Sequence, residues 1–479
     1  MLKAKVLHGL KWSFLSKFCS QTISWIVTFW VIRLLTPADY GVVALVTVFF
    51  AFISIFAVNG FVSALVKMKN ITTQAARQIF TISLFMYFLY SLLISFFAKD
   101  IAVFFKNNEI EYVLYVMAIF TPLLSFNVVP NAYIQKEMNF KLQAYSEIIS
   151  SFSSIFTALT FALLGYGFWS LVIARIVQIL ASVISINYFK KTAYGITFNF
   201  SLVKPILNFA LKMQLNGIIW FVYNKLDSLI IGKFLGTNSL GLYNVANEIA
   251  AMPMNKASSI LNQVGFSAFV SISGSNNDAK YYLYQAIRVM SLLIFPVFFG
   301  ISVVAEEIQK VILGSNWHGT AAIISILAVI LPFRMINSLF QNFANAMGKA
   351  NFALVNTSIT ATILIISISI GVQFGLISTA WAWLIGFSIA FVINTLNLAN
   401  KFKLDRRYLL SRFSPLMTSI LMMFIVYCVN HFFLSNTLPI ISLIIKVIIG
   451  TIFISITYFY YYFDDLIKLK VSFKGFGVK

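Results

Sequence analysis

The sequence is poor in charge, and above all in acidic charge. Only 10% of its 479 residues are charged, whereas soluble globular domains average about 25%. The chain has 14 acidic residues against 35 lysines and arginines, which gives a net charge of +21. Because charge is scarce along the whole chain and not in one segment alone, the composition excludes a soluble enzyme with a single membrane anchor.

Cysteine and histidine are almost missing. The two cysteines, Cys19 and Cys428, fall within predicted spans and form neither a disulfide framework nor a metal pattern. The three histidines, His8, His318 and His431, have no metal-ligand spacing. The chain also lacks a P-loop, a glycine-rich dinucleotide fingerprint and a nucleophile elbow. We therefore expect no enzyme activity, no bound metal and no cofactor.

Long apolar runs, in contrast, recur from end to end. Hydrophobic residues make up 60% of the chain, and a helix needs about 20 of them to cross the hydrocarbon core. Strands of a membrane barrel would be about half as long and would alternate in polarity. The sequence thus predicts an all-α polytopic membrane protein with about fourteen spans. Their approximate limits are 12–35, 41–66, 78–98, 112–134, 145–165, 168–188, 206–232, 240–266, 281–304, 320–346, 354–374, 377–399, 413–434 and 440–463.

Basic residues gather in alternate loops. With the N-terminus placed in the cytoplasm, the cytoplasmic loops hold most of the lysines and arginines, for example those of segment 401–412. The opposite loops hold only Lys99, Lys106 and Lys310 as clear cases. This asymmetry predicts that both termini are cytoplasmic, and it requires an even number of spans. It also explains the net charge through anionic lipid, so we expect no nucleic-acid partner.

Three short stretches of the chain recur in order. They are Arg33-Leu-Leu-Thr-Pro-Ala-Asp-Tyr-Gly41 with Lys233-Phe-Leu-Gly-Thr-Asn-Ser-Leu-Gly241, Pro122 to Phe140 with Pro332 to Phe352, and Gly167 to Ser170 with Gly375 to Ser378. Spans 1, 4 and 6 therefore match spans 7, 10 and 12. We predict two six-helix bundles, 1–190 and 191–400, around a central cavity, with two further helices and a basic cytoplasmic tail in 401–479. Such pairs rock between inward-open and outward-open states in transporters; an old duplication without moving parts is the alternative.

Polar residues recur at helical spacing inside several spans. They are Lys17 and Gln21 in span 1, Lys212 and Asn216 in span 7, Asn244 and Asn247 in span 8, and Arg334, Asn337 and Gln341 in span 10. Each stripe must face protein or water, because an unpaired polar group in lipid costs several kcal/mol. Two readings stay open, which are hydrogen bonds between helices and the polar lining of a cavity.

The charged residues within the spans are mostly basic. Those that we assign to a cavity are Lys17, Arg175, Lys212, Lys225 and Arg334. Lys225 has Asp227 and Glu248 as potential partners, whereas the others have no obvious partner nearby in sequence. We predict a cationic cavity for an anionic substrate that bears phosphate, since lysine and arginine bind phosphate well. Asp227 and Glu248 are candidates for binding a coupling proton or sodium ion, or for pairing with Lys225.

Residues 33–45 resemble the hallmark stretch of the polysaccharide transporter family, the Wzx-type flippases. Residues 224–236 and 241–246 resemble its counterpart in spans 7 and 8, and residues 332–352 are also similar. The resemblance covers nearly the whole chain and is closest to the branch of colanic-acid exporters. It implies the superfamily of multidrug, oligosaccharidyl-lipid and polysaccharide exporters, with a central cavity lined by spans 1, 2, 7 and 8.

The resemblance implies a flippase of the bacterial inner membrane that serves surface polysaccharide biosynthesis. Its implied substrate is an oligosaccharide repeat unit on undecaprenyl diphosphate, moved to the periplasmic leaflet by alternating access. Implied partners are this lipid-linked oligosaccharide, membrane lipids, and the polysaccharide polymerase with its chain-length machinery.

Three alternatives stay open. A lipid II flippase would have a similar cationic cavity. A multidrug exporter of organic cations would have an acidic one, which the basic excess disfavours. A membrane polymerase or glycosyltransferase would carry a large extracytoplasmic loop or an acidic catalytic motif, and the sequence has neither.

Overall fold

The structure is a computed structural model, and its secondary structure is helical. It describes residues 24–54, 60–68, 70–197, 221–254, 276–434 and 437–463. Within these ranges the regular elements are α-helices with short 3₁₀ and π segments, and none is a strand. The all-α prediction is therefore confirmed.

The first compact unit comprises residues 1–242. Its described helices are α1 (Ser24–Leu34), α2 (Pro37–Ser54), α3 (Gly60–Lys67), α4 (Thr73–Phe105), α5 (Glu109–Phe120), α6 (Val128–Lys136), α7 (Phe140–Leu163), α8 (Trp169–Phe189) and the first part of α9 (221–254). The segment Thr121–Asn127 between α5 and α6 is a 3₁₀ helix with proline near its start, where the missing N–H weakens an α-helix. Helices α7 and α8 pack along each other.

The second compact unit comprises residues 243–479. Its further described helices are α10 (Asn276–Val303), α11 (Ala305–Glu307), α12 (Thr320–Ala346), α13 (Ala350–Gly371), α14 (Leu376–Phe402), α15 (Arg406–Ser411), α16 (Ser414–Val429) and α17 (Pro439–Tyr461). A π segment, Ile308–Leu313, follows α11. Helix α12 packs against α10 and α14, and Phe333 of α12 contacts Phe295 and Phe391 edge-on at 5.3 and 5.2 Å between ring centroids.

Ten helical segments of the described residues are long and apolar enough to cross a membrane. They coincide with predicted spans 3 to 6 and 9 to 14. Helices α1 and α2 form a further pair, bent by 120° at the break between them. Predicted spans 7 and 8 extend into residues outside the described ranges. The polytopic membrane fold is confirmed.

Apolar side chains also cover the outside of the helices. Phe424 of α16 and Phe459 of α17 are each 62% exposed. Large exposed apolar faces are rare on soluble monomers, whereas helices in hydrocarbon need such faces and need their backbone hydrogen bonds satisfied internally. The surface is therefore that of a protein solvated by lipid.

The repeat detected in the sequence is visible in backbone conformation. Met138, between α6 and α7, has φ 53°, and Gly348, between α12 and α13, has φ 70°. Gly167, before α8, has φ 54°, and Gly375, before α14, has φ 103°. Equivalent turns thus use a left-handed residue in both halves. The repeat boundaries at 190 and 400 stay a prediction.

Candidate transport site

Four of the predicted site residues lie outside the part of the chain that the structure describes. They are Lys17, Gln21, Lys212 and Asn216. Their contribution to a cationic cavity stays a prediction.

In the first unit, the structure describes three predicted charged residues. Arg175 on α8 is exposed, and its Nη1 donates to Gln178 Oε1 at 2.6 Å. Lys225 on α9 is half-buried. Asp227 is buried, and its Oδ1 accepts hydrogen bonds from the backbone N–H of Ser228 at 2.7 Å and from the Ser228 hydroxyl at 3.3 Å. Asp227 is therefore held inside the protein with local hydrogen bonds to its carboxylate.

In the second unit, α9 and α12 carry the remaining members. Asn244 and Asn247 are half-buried, and Glu248 is exposed. Arg334 is half-buried, and its guanidinium carbon lies 4.8 Å from the ring centroid of the buried Trp383. A cation over an aromatic face at this distance is stabilised by the ring quadrupole, which fixes where the positive charge of α12 is presented.

Asn337 takes part in a buried hydrogen-bonded network of three helices. The side-chain amide of Asn394 on α14 donates to Asn337 Oδ1 at 3.0 Å and to Thr360 Oγ1 on α13 at 2.9 Å. Asn337 is only 4% exposed. Such a network holds helices together in an apolar medium, which favours the first of the two readings of the polar stripes at this position. Gln341, one turn further on, is half-buried.

The first repeat pair forms a close helix crossing in the first unit. A Cβ built on Gly41 would lie 1.8 Å from the carbonyl oxygen of Thr237. A Cβ built on Gly241 would lie 1.7 Å from the carbonyl oxygen of Pro37. Gly41 contacts Thr237 as Gly241 contacts Pro37, so the contact is reciprocal under the 200-residue repeat. Neither position has room for any side chain, because real Cβ atoms do not approach oxygen so closely.

We call this contact the glycine crossing; it joins segments 33–41 and 233–241. The two segments differ in the residues that set their local backbone conformation. At the start of α2, Asp39 Oδ2 accepts from the backbone N–H of Thr36 at 2.8 Å and from its hydroxyl at 2.6 Å. The Thr36 hydroxyl in turn accepts from the Asp39 N–H at 3.3 Å, which is a capping box with proline at the first helical position. In α9 the position equivalent to Thr36 is Gly236, which has a left-handed φ of 80°.

Sequence reasoning missed a buried ion pair in the second unit. Lys446 Nζ on α17 lies 2.6 Å from Glu307 Oε1, which also accepts from the Ser442 hydroxyl at 2.8 Å. Glu307 and Lys446 are 6% and 3% exposed. Removing one partner of such a pair costs about 3–5 kcal/mol, so the pair fixes α17 to the break after α10. Lys446 was visible in the sequence as a charge within a span; its partner lies just beyond the end of one.

The chain is similar over most of its length to proteins of polysaccharide biosynthesis and to a solved flippase structure. The chain is 25% identical to the succinoglycan biosynthesis transport protein ExoT of Rhizobium meliloti (strain 1021), over 72% of this chain and 70% of that protein. It is 21% identical to the lipopolysaccharide biosynthesis protein WzxC of Escherichia coli (strain K12), over 82% and 80%. The fold matches that of a solved lipid II flippase, MurJ in an inward closed conformation, with a TM-score of 0.75, 18% identity and coverage of 93% and 99%.

A family model gives the same result at the level of the sequence. The model described as "polysaccharide biosynthesis protein" matches residues 30–322, which is more than half of the chain. The match includes both halves of the glycine crossing, 33–41 and 233–241. This protein therefore belongs to the polysaccharide biosynthesis protein family of polytopic membrane proteins.

Proposed function

We propose that this protein is a flippase for an oligosaccharide repeat unit linked to undecaprenyl diphosphate. It moves the unit from the cytoplasmic to the periplasmic leaflet by alternating access, for the synthesis of a surface polysaccharide. The observation that carries the proposal is the family match over residues 30–322. The relatives named for succinoglycan transport and lipopolysaccharide biosynthesis support the same substrate class.

The charge of the spans fits an anionic substrate. Among the described residues of the predicted cavity, Arg175, Lys225 and Arg334 are basic and carry exposed or half-buried side chains. Arginine and lysine are the usual ligands of phosphate groups. In a span, an ionised group needs a polar partner or water, and a hydrated cavity would supply water to these cations. Lys17 and Lys212 complete the proposed cationic set.

The glycine crossing supports alternating access. Its two halves belong to the connections between predicted spans 1 and 2 and between spans 7 and 8, which by the loop charges lie on the periplasmic side. Backbone contact at Gly41 and Gly241 brings the two segments closer than side chains would allow. In the proposed cycle this contact is the periplasmic closure. In the proposed cycle the crossing separates when the cavity opens outward, and it re-forms on return.

The test is deletion of the gene, followed by chemical analysis of the lipid-linked glycans in the membrane. We expect an undecaprenyl-diphosphate-linked repeat unit to accumulate on the cytoplasmic leaflet and the surface polysaccharide to be lost. An unchanged surface polysaccharide with no trapped intermediate would contradict the proposal.

Complementation of that deletion tests the cationic cavity. Arg334→Glu and Lys212→Glu should each fail to restore the polysaccharide at normal membrane levels of the protein, because a carboxylate repels the diphosphate. Lys141→Glu reverses an exposed charge at the start of α7, beside Tyr145. Lys141 is not among the residues of the predicted cavity, so this variant should restore the polysaccharide. Full activity of both cavity variants would count against the cationic site.

Asp227 is our candidate for binding the coupling ion. It is buried, and its carboxylate accepts two hydrogen bonds from Ser228. Asp227→Asn keeps the shape but removes the charge that a proton or sodium ion requires. We expect this variant to retain substrate binding and to lose transport driven by an ion gradient; unchanged transport would exclude Asp227 from coupling and leave it as a structural charge.

A second candidate function is lipid II flipping, which is favoured by the fold match at a TM-score of 0.75. Its substrate carries the same diphosphate and polyprenyl chain, so the cationic set serves both. Expression in cells depleted of their own lipid II flippase separates the two: survival would establish the second function, and death with intact surface polysaccharide would leave the first.

A further inference from the structure

A groove in the first unit is lined by none of the residues of the predicted cationic set. It has a volume of about 690 Å³. Its lining comes from α2, α4 and α9: Phe49, Leu93, Ile94, Phe97, Asp100, Ile101, Phe104, Phe105, Leu229, Ile230, Lys233 and Phe234. Ten of these twelve residues are apolar, and half of those ten are phenylalanine. The lining of the groove is therefore suited to binding a hydrocarbon chain.

The two charged lining residues, Asp100 and Lys233, have opposite sign. Asp100 stands near the C-terminal end of α4, whereas Leu93 lies about two turns earlier in that helix, roughly 10 Å away along its axis. Lys233 lies close to Phe104, which is also near this end. The groove is thus charged toward the end of the apolar span and apolar toward its middle. That polarity is the one a lipid presents at the membrane boundary, with its headgroup outward and its chains inward.

Lys233 is held in place at the mouth of the groove. Its Nζ donates to the carbonyl oxygen of Phe104 at 2.7 Å and lies 3.7 Å from the centroid of the Phe104 ring. An ammonium group has three N–H donors, and the Phe104 carbonyl takes one of them. The positioned ammonium therefore retains donors for an anionic group.

Charges of both signs lie next to the lining residues in sequence. Lys99 lies among the lining residues of α4, Lys106 caps the C-terminal end of that helix, and Glu109 and Glu111 stand in the first turn of α5. With Asp100 and Lys233 this gives three lysines against three carboxylates. A purely anionic headgroup would gain little from such a mouth, whereas a headgroup with both signs matches it.

We propose that this groove is a binding site for a zwitterionic phospholipid with a primary ammonium group, of the phosphatidylethanolamine type. Lys233 binds the phosphate, Asp100 accepts hydrogen bonds from the ammonium, and one acyl chain lies along the phenylalanines. A choline headgroup, which has no N–H, cannot donate to Asp100. The site is independent of the substrate that the protein moves, and it adjoins the glycine crossing, because Asn107 Nδ2 after α4 donates to Thr237 Oγ1 at 3.4 Å.

The test uses the full chain in vesicles of phosphatidylcholine that contain a trace of phosphatidylethanolamine with a photoreactive acyl chain. After irradiation, the labelled peptides are mapped by mass spectrometry. We expect label in 93–105 and 229–234. Leu93→Trp, which fills the groove, should abolish that label. Phe96→Trp is the matched control, since Phe96 is 77% exposed on the same helix and does not line the groove; it should label like the unaltered chain.

The headgroup contacts are tested by Asp100→Asn and Lys233→Gln. Each should reduce labelling about fivefold, which corresponds to the loss of one polar pair worth about 1 kcal/mol. Asp100→Asn should also remove the preference over a photoreactive phosphatidylcholine. Because Asp100 is exposed, this variant keeps the test valid if Leu93→Trp fails to fold.

Three results would overturn the proposal. They are label spread evenly over the exposed helices, equal labelling of Leu93→Trp and Phe96→Trp, and displacement of the probe more readily by phosphatidylglycerol or undecaprenyl diphosphate than by phosphatidylethanolamine. The last result would identify an anionic lipid as the occupant.

Discussion

The two halves of the glycine crossing make the same close backbone contact but differ in the residues beside it. In 33–41 the chain reverses between α1 and α2 with a bend of 120°, held by a capping box of Thr36 and Asp39. In 233–241, which lies within α9, the positions equivalent to Thr36 and Asp39 are Gly236 and Ser239, and Gly236 has a left-handed φ of 80°. Yet both halves keep glycine at the equivalent positions 41 and 241.

The comparison shows which positions must be glycine and which neighbouring positions can vary. A capping box fixes the start of a helix, and a left-handed glycine commonly ends one, so the local chemistry of the two segments can diverge after a duplication. At the crossing itself the carbonyl oxygens of Pro37 and Thr237 occupy the space of a Cβ. Nothing but glycine fits there, and therefore the crossing is the part that both repeats retain.

The largest effect is expected from alanine at either crossing glycine. Gly41→Ala and Gly241→Ala each place a Cβ within 2 Å of a carbonyl oxygen, so the helices must separate at a cost of about 1–3 kcal/mol or more. Each variant should reduce complementation of the deletion strain by more than about tenfold at normal membrane levels.

The reciprocity of the crossing makes the double variant informative. Once one alanine has separated the helices, the second should add little, so the two effects should not add. Gly300→Ala is the control, since a Cβ at Gly300 meets nothing within 4 Å. Additive losses from Gly41→Ala and Gly241→Ala, measured as thermal unfolding midpoints in detergent, would show that the two contacts are independent.

A smaller effect is expected from the left-handed glycine of segment 233–241. Gly236→Ala puts a Cβ on a residue at φ 80°, which costs about 1–2 kcal/mol for an L-residue. Gly236→Asn should cost less, because asparagine tolerates this region. The midpoint of thermal unfolding should therefore fall in the order glycine, asparagine, alanine. If alanine and asparagine were equal, backbone strain would not be the cause.

How far the sequence predicts this molecule depends on the range of the interaction. The spans follow from local hydropathy, and the matched pair Gly41 and Gly241 was visible as a repeat. The reason for those glycines was not, because it lies in contacts with Thr237 and Pro37 that come from distant parts of the chain.

The polar residues show the same limit. Helical spacing identified Asn337 as a member of a polar stripe, but it could not reveal that Asn394, 57 residues away, would bond it in a buried network. Nor could it pair Glu307 with Lys446 across 139 residues. Periodicity tells which residues share a face of a helix, whereas the partner of that face depends on tertiary packing.

A still smaller loss of stability is expected from removal of the capping box in segment 33–41. Asp39→Ala removes the two hydrogen bonds that Thr36 donates to the Asp39 carboxylate, and loss of a cap costs about 1 kcal/mol. Ser239→Ala alters the equivalent position of segment 233–241, where Gly236 stands in place of Thr36, and should change stability by less than about 0.5 kcal/mol. Thermal unfolding of both variants in detergent measures the difference; equal losses would mean that both segments depend on a side-chain cap.

The smallest effect is expected from substitution of Lys233, which connects segment 233–241 to α4. The Lys233 Nζ donates a hydrogen bond to the Phe104 carbonyl oxygen and lies over the Phe104 ring. Lys233→Gln removes the cation, which is worth about 0.5–1 kcal/mol over an aromatic face, whereas Lys233→Arg keeps it. Lipid-free detergent samples should therefore show a slightly lower unfolding midpoint for glutamine and an unchanged one for arginine. Because Lys233 is only half-buried, high salt should shrink the difference; a difference that salt leaves intact would point to the hydrogen bond with Phe104 and not to the charge.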